Sequence, residues 1–89
     1  MTLHEITTRL REYIAENFLY MRQGFDFSDT DSLLENGIID SMGVVELITF
    51  MQLEFAVDID DTEITEENLG TLNAIARFIH GKRSEHLAA

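Results

Sequence analysis

From Met42 to Phe55 the chain places Val44, Leu47, Ile48, Met51 and Phe55 at steps of three, one, three and four. That recurrence keeps apolar side chains on one face of an α-helix. The same period runs through Leu3, Ile6, Leu10, Tyr13, Ile14 and Phe18, while Glu5, Arg9, Glu12 and Glu16 fall mostly outside it. The spacing predicts a first helix over about 2–21 and a second over about 41–56. A third stripe, Leu72, Ile75, Ala76 and Ile79, predicts a last helix, with Thr71 as its N-cap. Arg77, Lys82 and Arg83 follow near its end, where cations suit the negative end of the helix dipole. Before it, Asp58 to Glu63 reads as an acidic connector, and Thr65 can cap a short helix over about 66–69 whose first turn holds Glu66 and Glu67.

No convincing strand, internal repeat or low-complexity segment interrupts this pattern. Between the first two helices lies a long connection, 23–40, with Gly24, Gly37 and the polar run Ser28-Asp29-Thr30-Asp31-Ser32. Phe25, Phe27, Leu33 and Leu34 are available to pin it to the core. Loops longer than about 12 residues are uncommon unless functional or disordered. The elements together predict an all-α, four-helix bundle of three main helices and one short one, joined by a long first loop. Residues 1–83 form one domain in this reading, and 84–89 a flexible C-terminal tail.

Composition narrows the function. At 89 residues, 45% of them hydrophobic, the chain has material for one small core and no room for a second domain. It has no cysteine, so disulfides, thiolate metal sites and a thiol nucleophile are excluded. The first residues lack a basic region followed by an apolar run, and nowhere do about 18 apolar residues stand together. A soluble, cytoplasmic protein without membrane insertion is expected. The net charge is −11, and between Gln23 and Ala76 there is no Lys or Arg, although thirteen of the seventeen carboxylates lie there. Nucleic acid, bound through Lys and Arg that displace counterions, is a poor partner for such a surface. Basic proteins are the partners it would attract, unless the carboxylates only solvate exposed helix faces and loops.

The residue that stands out is Ser41, delivered by Gly37-Ile38-Ile39-Asp40 to the start of the second helix with no catalytic partner beside it. Unpaired N–H groups and partial positive charge at a helix N-terminus favour a phosphate there, by about 0.3–1 kcal/mol at an exposed site. That suits an attachment point. The simpler alternative is that Asp40 or Ser41 only caps the helix.

Leu33-Leu34-Glu35-Asn36-Gly37-Ile38-Ile39-Asp40-Ser41-Met42 resembles the modification loop of the acyl and peptidyl carrier proteins, centred on their Asp-Ser-Leu/Met motif. The resemblance continues through Val44-Val45-Glu46-Leu47, through Leu53-Glu54-Phe55-Ala56-Val57-Asp58-Ile59 and into Leu69-Gly70-Thr71-Leu72-Asn73-Ala74-Ile75, covering about 33–79. It implies a bundle of the kind described, no catalysis by the chain itself, and a covalent 4'-phosphopantetheine on Ser41, taken from coenzyme A by a phosphopantetheinyl transferase. The further partners it implies are an acyl- or aminoacyl-activating ligase and a downstream acyl-accepting enzyme. Asp40 is then expected to help the transferase recognise the site. Met42 and Val45, where they face outward rather than into the bundle, would anchor partners, and Glu46 would pair with Arg or Lys across an interface unless it is simply solvated. A monomer is expected.

Departures from the fatty-acid type bear on the cargo. The middle of the second helix reads Thr49-Phe50-Met51-Gln52-Leu53-Glu54 where that type is strongly acidic. Gly43 stands where an acidic residue is common, and Asp60 where many members have proline. Ser41-Met42-Gly43 is closer to stand-alone aminoacyl, D-alanyl and peptidyl carriers. Other chemistry fails on spacing: a calcium loop from Asp58 needs Gly at 63 and Glu at 69, where Glu63 and Leu69 stand. His4, His80 and His86 lack the paired spacing of a zinc site, and the Gly-x-Ser-x-Gly elbow of a hydrolase is absent. The competing reading from another class is an unmodified acidic helical adaptor that docks a basic partner through the second helix.

Overall fold

A computed structural model describes residues 2–19 and 27–88, with 84–88 as backbone alone. Helix α1 spans Leu3–Phe18, α2 Ser41–Phe55, α3 Glu66–Leu69 and α4 Leu72–Ala88, with a 3-10 turn at Asp61–Glu63; the described residues contain no strand. The all-α architecture of three main helices and one short one is as the periodicity predicts. Met21 as the end of the first helix, Gly24 and Phe25 lie outside the described residues, as do the side chains of the expected tail, although the backbone of α4 continues to Ala88.

Each helix starts where a side chain can take an orphan N–H. Thr2 and Glu5 form a reciprocal capping box at α1. Thr65 accepts from Asn68 N–H at 3.2 Å, and Thr71 from Ala74 N–H at 3.0 Å. The core joins Ile6, Leu10 and Ile14 of α1, Leu47, Met51 and Phe55 of α2, and Leu72, Ile75, Ala76 and Ile79 of α4, none more than 2% exposed. Each large side chain contributes about 1.5–3 kcal/mol on burial. Along the α1–α2 seam Tyr13 stacks on Phe50 at 3.9 Å and meets Phe18 edge-on, while Phe50 meets Phe55 edge-on.

Several expectations need correction. Leu3 is exposed, because it occupies the first turn of α1, ahead of the part of that helix covered by its neighbours. Leu34 is exposed as well, because the tight turn after Leu33 buries Leu33 and turns its neighbour outward. Arg77, Lys82 and Arg83 do not serve the end of their own helix, which runs on past them. Arg77 is exposed in mid-helix, and Lys82 pairs with Glu63 at 2.8 Å. Arg83 donates to the Phe55 carbonyl at 2.6 Å, closing the C-terminus of α2. The acidic connector holds the 3-10 turn, in which Asp60 N–H donates to Glu63 Oε1 at 2.9 Å and Glu63 N–H to the Asp60 carbonyl. Proline at 60 could not make the first of these bonds.

The long loop is tied down at both ends of its described part. Arg11 of α1 donates to the Phe27 carbonyl at 2.8 Å, pairs with Asp29 and lies over the Phe27 ring at 4.4 Å. Leu33 N–H donates to the Gly70 carbonyl at 2.9 Å, and Asn73 N–H to the Asp29 carbonyl at 2.8 Å. An otherwise unpaired amide in the first turn of α4 is thereby satisfied by the loop. Phe27, Leu33, Ile38 and Ile39 are buried beneath it.

Candidate functional site

The site begins with the turn that brings the loop into α2. Gly37 has φ +67, a left-handed conformation, and no atom lies near where its Cβ would be. Glycine is favoured here by the backbone alone. Around it, Asn36 N–H donates to the Ser32 carbonyl and Gly37 N–H to the Leu34 carbonyl. The Leu33 carbonyl then accepts from both Ile38 and Ile39 N–H, at 2.9 and 3.1 Å. Ile38 and Ile39 drop into the core, so the chain emerges at Asp40 from a fixed base.

Asp40 is the N-cap of α2, its Oδ1 accepting from Gly43 N–H at 2.7 Å. Such a cap contributes about 0.5–2 kcal/mol. Ser41 is therefore not the cap. It is the first helical residue, exposed, and its hydroxyl is bonded to no other described residue. The expected capping role falls to Asp40 and not to Ser41.

At 100° per residue, Met42, Val45, Glu46, Thr49 and Leu53 share the outward arc of α2, with Ser41 at one edge. Met42 is 78% exposed, Val45 66% and Leu53 80%, so the first two face outward rather than into the bundle. Glu46 is exposed, and its main-chain carbonyl lies 3.5 Å from the Tyr13 hydroxyl. Burial, and secondarily the Glu46 carboxylate, raises that hydroxyl above the ordinary tyrosine value. The structure thus gathers Asp40, Ser41, Met42, Val45 and Glu46 along the N-terminal half of one helix. Leu53 extends the apolar row to about 18 Å from Ser41 along the axis. Leu53 is not among the partner-facing residues expected from the sequence, although its position off the buried stripe places it on the outer face. An open groove between α1 and α2, lined by Arg9, Tyr13, Phe50 and Glu54, is a separate feature. Phe50 is half a rotation from Ser41, on the other side of α2.

Residues 8–79 match the protein family described as "Phosphopantetheine attachment site". The chain belongs to this family of carrier proteins. Among curated relatives, the D-alanyl carrier protein of Streptococcus sanguinis (strain SK36) is 34% identical over 75 residues, covering 84% of this chain and 91% of the relative. The D-alanyl carrier protein of Streptococcus uberis (strain ATCC BAA-854 / 0140J) is 35% identical over 72 residues, covering 79% and 90%. That of Streptococcus suis (strain 98HAH33) is 37% identical over 57 residues, covering 64% and 71%.

The carrier's cofactor is covalent 4'-phosphopantetheine, and carriers of this kind are not themselves enzymes. The site fits such a group. An unengaged hydroxyl stands in open solvent on the first turn of a fifteen-residue helix, whose N-terminal dipole favours a phosphodiester. No described helix is long and apolar enough to cross a membrane, and no cluster of three or more His, Asp or Glu among the described residues could hold a metal ion.

Proposed function

We propose that Ser41 carries the phosphopantetheine arm and that the chain presents an acyl or aminoacyl group on it to partner enzymes. The observation that carries this reading is the exposed Ser41 hydroxyl at the first position of α2, free because Asp40 has taken the capping role. Ser41 Oγ forms a bond to the phosphorus of coenzyme A that bears the pantetheine. The pyrophosphate P–O bond breaks as it does so, the hydroxyl proton passes to a base of the transferase, and adenosine 3',5'-bisphosphate leaves. When bound, the group supplies a terminal thiol that holds the cargo as a thioester. The carrier's own residues attach the arm, expose it and dock partners.

Docking falls to the outward arc of α2. Met42 and Val45 offer apolar anchors beside Ser41, Glu46 offers a carboxylate to Arg or Lys of a partner, and Asp40 offers the transferase a negative charge as well as capping the helix. Leu53 extends the apolar contact toward the far end of α2. For the cargo we infer an aminoacyl group, with D-alanine the first candidate, on the strength of the Ser41-Met42-Gly43 sequence and of relatives named D-alanyl carrier proteins.

The first experiment is intact mass after incubation with coenzyme A, magnesium and a broad-specificity phosphopantetheinyl transferase, with Ser41→Ala in parallel. One phosphopantetheine added to the wild type and none to the variant is the expected result. No addition to the folded wild type with more than one transferase would replace this reading with an unmodified adaptor. Cargo is then decided by offering the modified chain to an amino-acid-activating and a fatty-acyl-activating ligase. Amino acid loading is expected, and fast fatty-acyl loading without it would reverse the assignment.

A further inference from the structure

We propose that Gly43 is a positioning residue for Ser41. Its missing Cβ lets the end of α1 and the end of the long loop close on the first turn of α2, and that closure holds the cap that fixes the backbone at Ser41. The proposal rests on Ser41 being the attachment residue.

Gly43 is buried although Asp40, Ser41 and Met42 before it are exposed. A Cβ at 43 would lie 2.8 Å from Ile39 Cγ2, 2.8 Å from Phe18 Cε1 and 3.2 Å from Asp40 Oδ1. Something must therefore shift if any side chain is placed there. Ile39 is 2% exposed and enclosed by core, so it has little space to retreat. The Phe18 ring is held edge-on to Tyr13, which is itself stacked on Phe50. With Ile39 and Phe18 held, relief of the two 2.8 Å contacts requires the first turn of α2 to shift, and with it the exposed Asp40. Its Oδ1 is the atom that accepts from Gly43 N–H, so displacement of Asp40 breaks the cap and turns the Asp40–Ser41 peptide. Attack of Ser41 Oγ on phosphorus, with the pyrophosphate P–O bond breaking opposite, is sensitive to alignment: a misplacement of about 1 Å can cost about 100-fold in rate. A side chain at 43 thus acts on the modification through Asp40 without touching coenzyme A. The docking residues Met42, Val45 and Glu46 stay in place on the outward arc.

The test follows phosphopantetheine transfer by intact mass over time, at a temperature where circular dichroism shows each variant folded. Gly43→Ala is expected to lower kcat about tenfold or more with KM little changed. Phe18→Leu has no atom equivalent to Cε1 but leaves the contact to Ile39 Cγ2, so Phe18→Leu/Gly43→Ala is expected to recover part of the kcat lost in Gly43→Ala. A merely structural role for Gly43 would lower Tm while leaving kcat and KM of the folded protein as in the wild type, and that result would overturn the proposal. Loss of kcat that Phe18→Leu does not relieve would overturn it too. If Gly43→Ala does not fold, Asp40→Asn and Asp40→Gly decide the matter. Both variants lack the carboxylate charge offered to the transferase, but Asp40→Asn keeps an oxygen for the Gly43 amide and Asp40→Gly does not, so kcat should be lower in Asp40→Gly than in Asp40→Asn, and equal kcat in the two overturns the proposal. A wild type that takes up no group at all removes the Ser41 assignment and this proposal together. A wild type that loads, with Gly43→Ala loading at the same rate, removes this proposal alone.

Discussion

At the scale of single residues, the closing position of α2 holds a conformational cost that one substitution can relieve. Ala56 follows the helix with φ 53 and ψ 47, the left-handed region in which a Cβ crowds the following carbonyl. Glycine is the common residue at such a helix end. Ala56→Gly removes about 1–2 kcal/mol of backbone strain and loses about 0.4–1 kcal/mol through a more mobile unfolded chain. The net expectation is a gain of about 0.5–1 kcal/mol, or a few degrees in Tm by thermal melt. An unchanged or lower Tm would show that Arg83, bonded to the neighbouring Phe55 carbonyl, already over-determines this turn. Gly37 is the converse case. It is already glycine at φ +67, and with open space where a Cβ would stand, any cost of replacing it comes from the backbone and not from a clash.

Between elements, the loop is held by one arginine more than by any other described side chain. Arg11 joins a carbonyl bond, an ion pair and a ring contact on the segment 27–29, whereas Arg9 makes an exposed pair with Glu54. Exposed pairs contribute about 0–1 kcal/mol, while a charged hydrogen bond to a partly buried carbonyl adds about 1.5–3 kcal/mol. Arg11→Ala should therefore cost at least twice what Arg9→Ala costs in urea unfolding, and should speed hydrogen exchange at Leu33 and Asn73, the two amides whose bonds tie the loop to the end of α3 and the start of α4. The link from the 3-10 turn to α4 is pH-dependent. The hydrogen bond from Lys82, then that from Asp60 N–H, lowers the Glu63 carboxyl below the ordinary glutamate value. A depressed folded-state value gives stability that is present above the unfolded-state value and is lost as pH falls through the folded one. Glu63→Gln should accordingly lower Tm at pH 7 and converge with the wild type as pH drops below about 4.3; a gap that persists at low pH would contradict the ionic origin. The three main helices were legible in the sequence because a period of 3.6 identifies the buried face, and the short α3 because Thr65 caps it. That period does not reveal where neighbouring elements stop covering the face, as at Leu3, and it says nothing of the loop turn that exposes Leu34. The bonds from Leu33 to Gly70 and from Asn73 to Asp29 join residues far apart in the chain and leave no local signal. Likewise Asp40 and Ser41 could be read from a motif, while the approach of Phe18 to Gly43 could not.

Over the whole molecule, the net charge of −11 acts on folding and on association in opposite directions. The described cations are spent locally in part: Arg9 pairs with Glu54, Arg11 with Asp29 and Lys82 with Glu63. Among the described residues no cation pairs with Glu35, Asp40 or Glu46, so these carboxylates contribute unpaired negative charge near Ser41. Salt screens this field, the Debye length falling from about 10 Å at 0.1 M to about 3 Å at 1 M. Self-repulsion weakens, so Tm should rise as sodium chloride is added over that range. Encounter with a basic transferase or ligase should slow over the same range, because steering depends on the unscreened potential. The apolar row Met42, Val45 and Leu53 responds differently, since burial of its surface does not depend on charge. Leu53→Ser should therefore speed dissociation from a partner that spans α2 while leaving the salt dependence of the association rate as in the wild type. Stopped-flow association measured from 0.1 to 1 M salt separates the two contributions. A salt-independent association rate would sink the steering argument, and an unchanged dissociation rate in Leu53→Ser would confine the docking surface to the Ser41 end of α2.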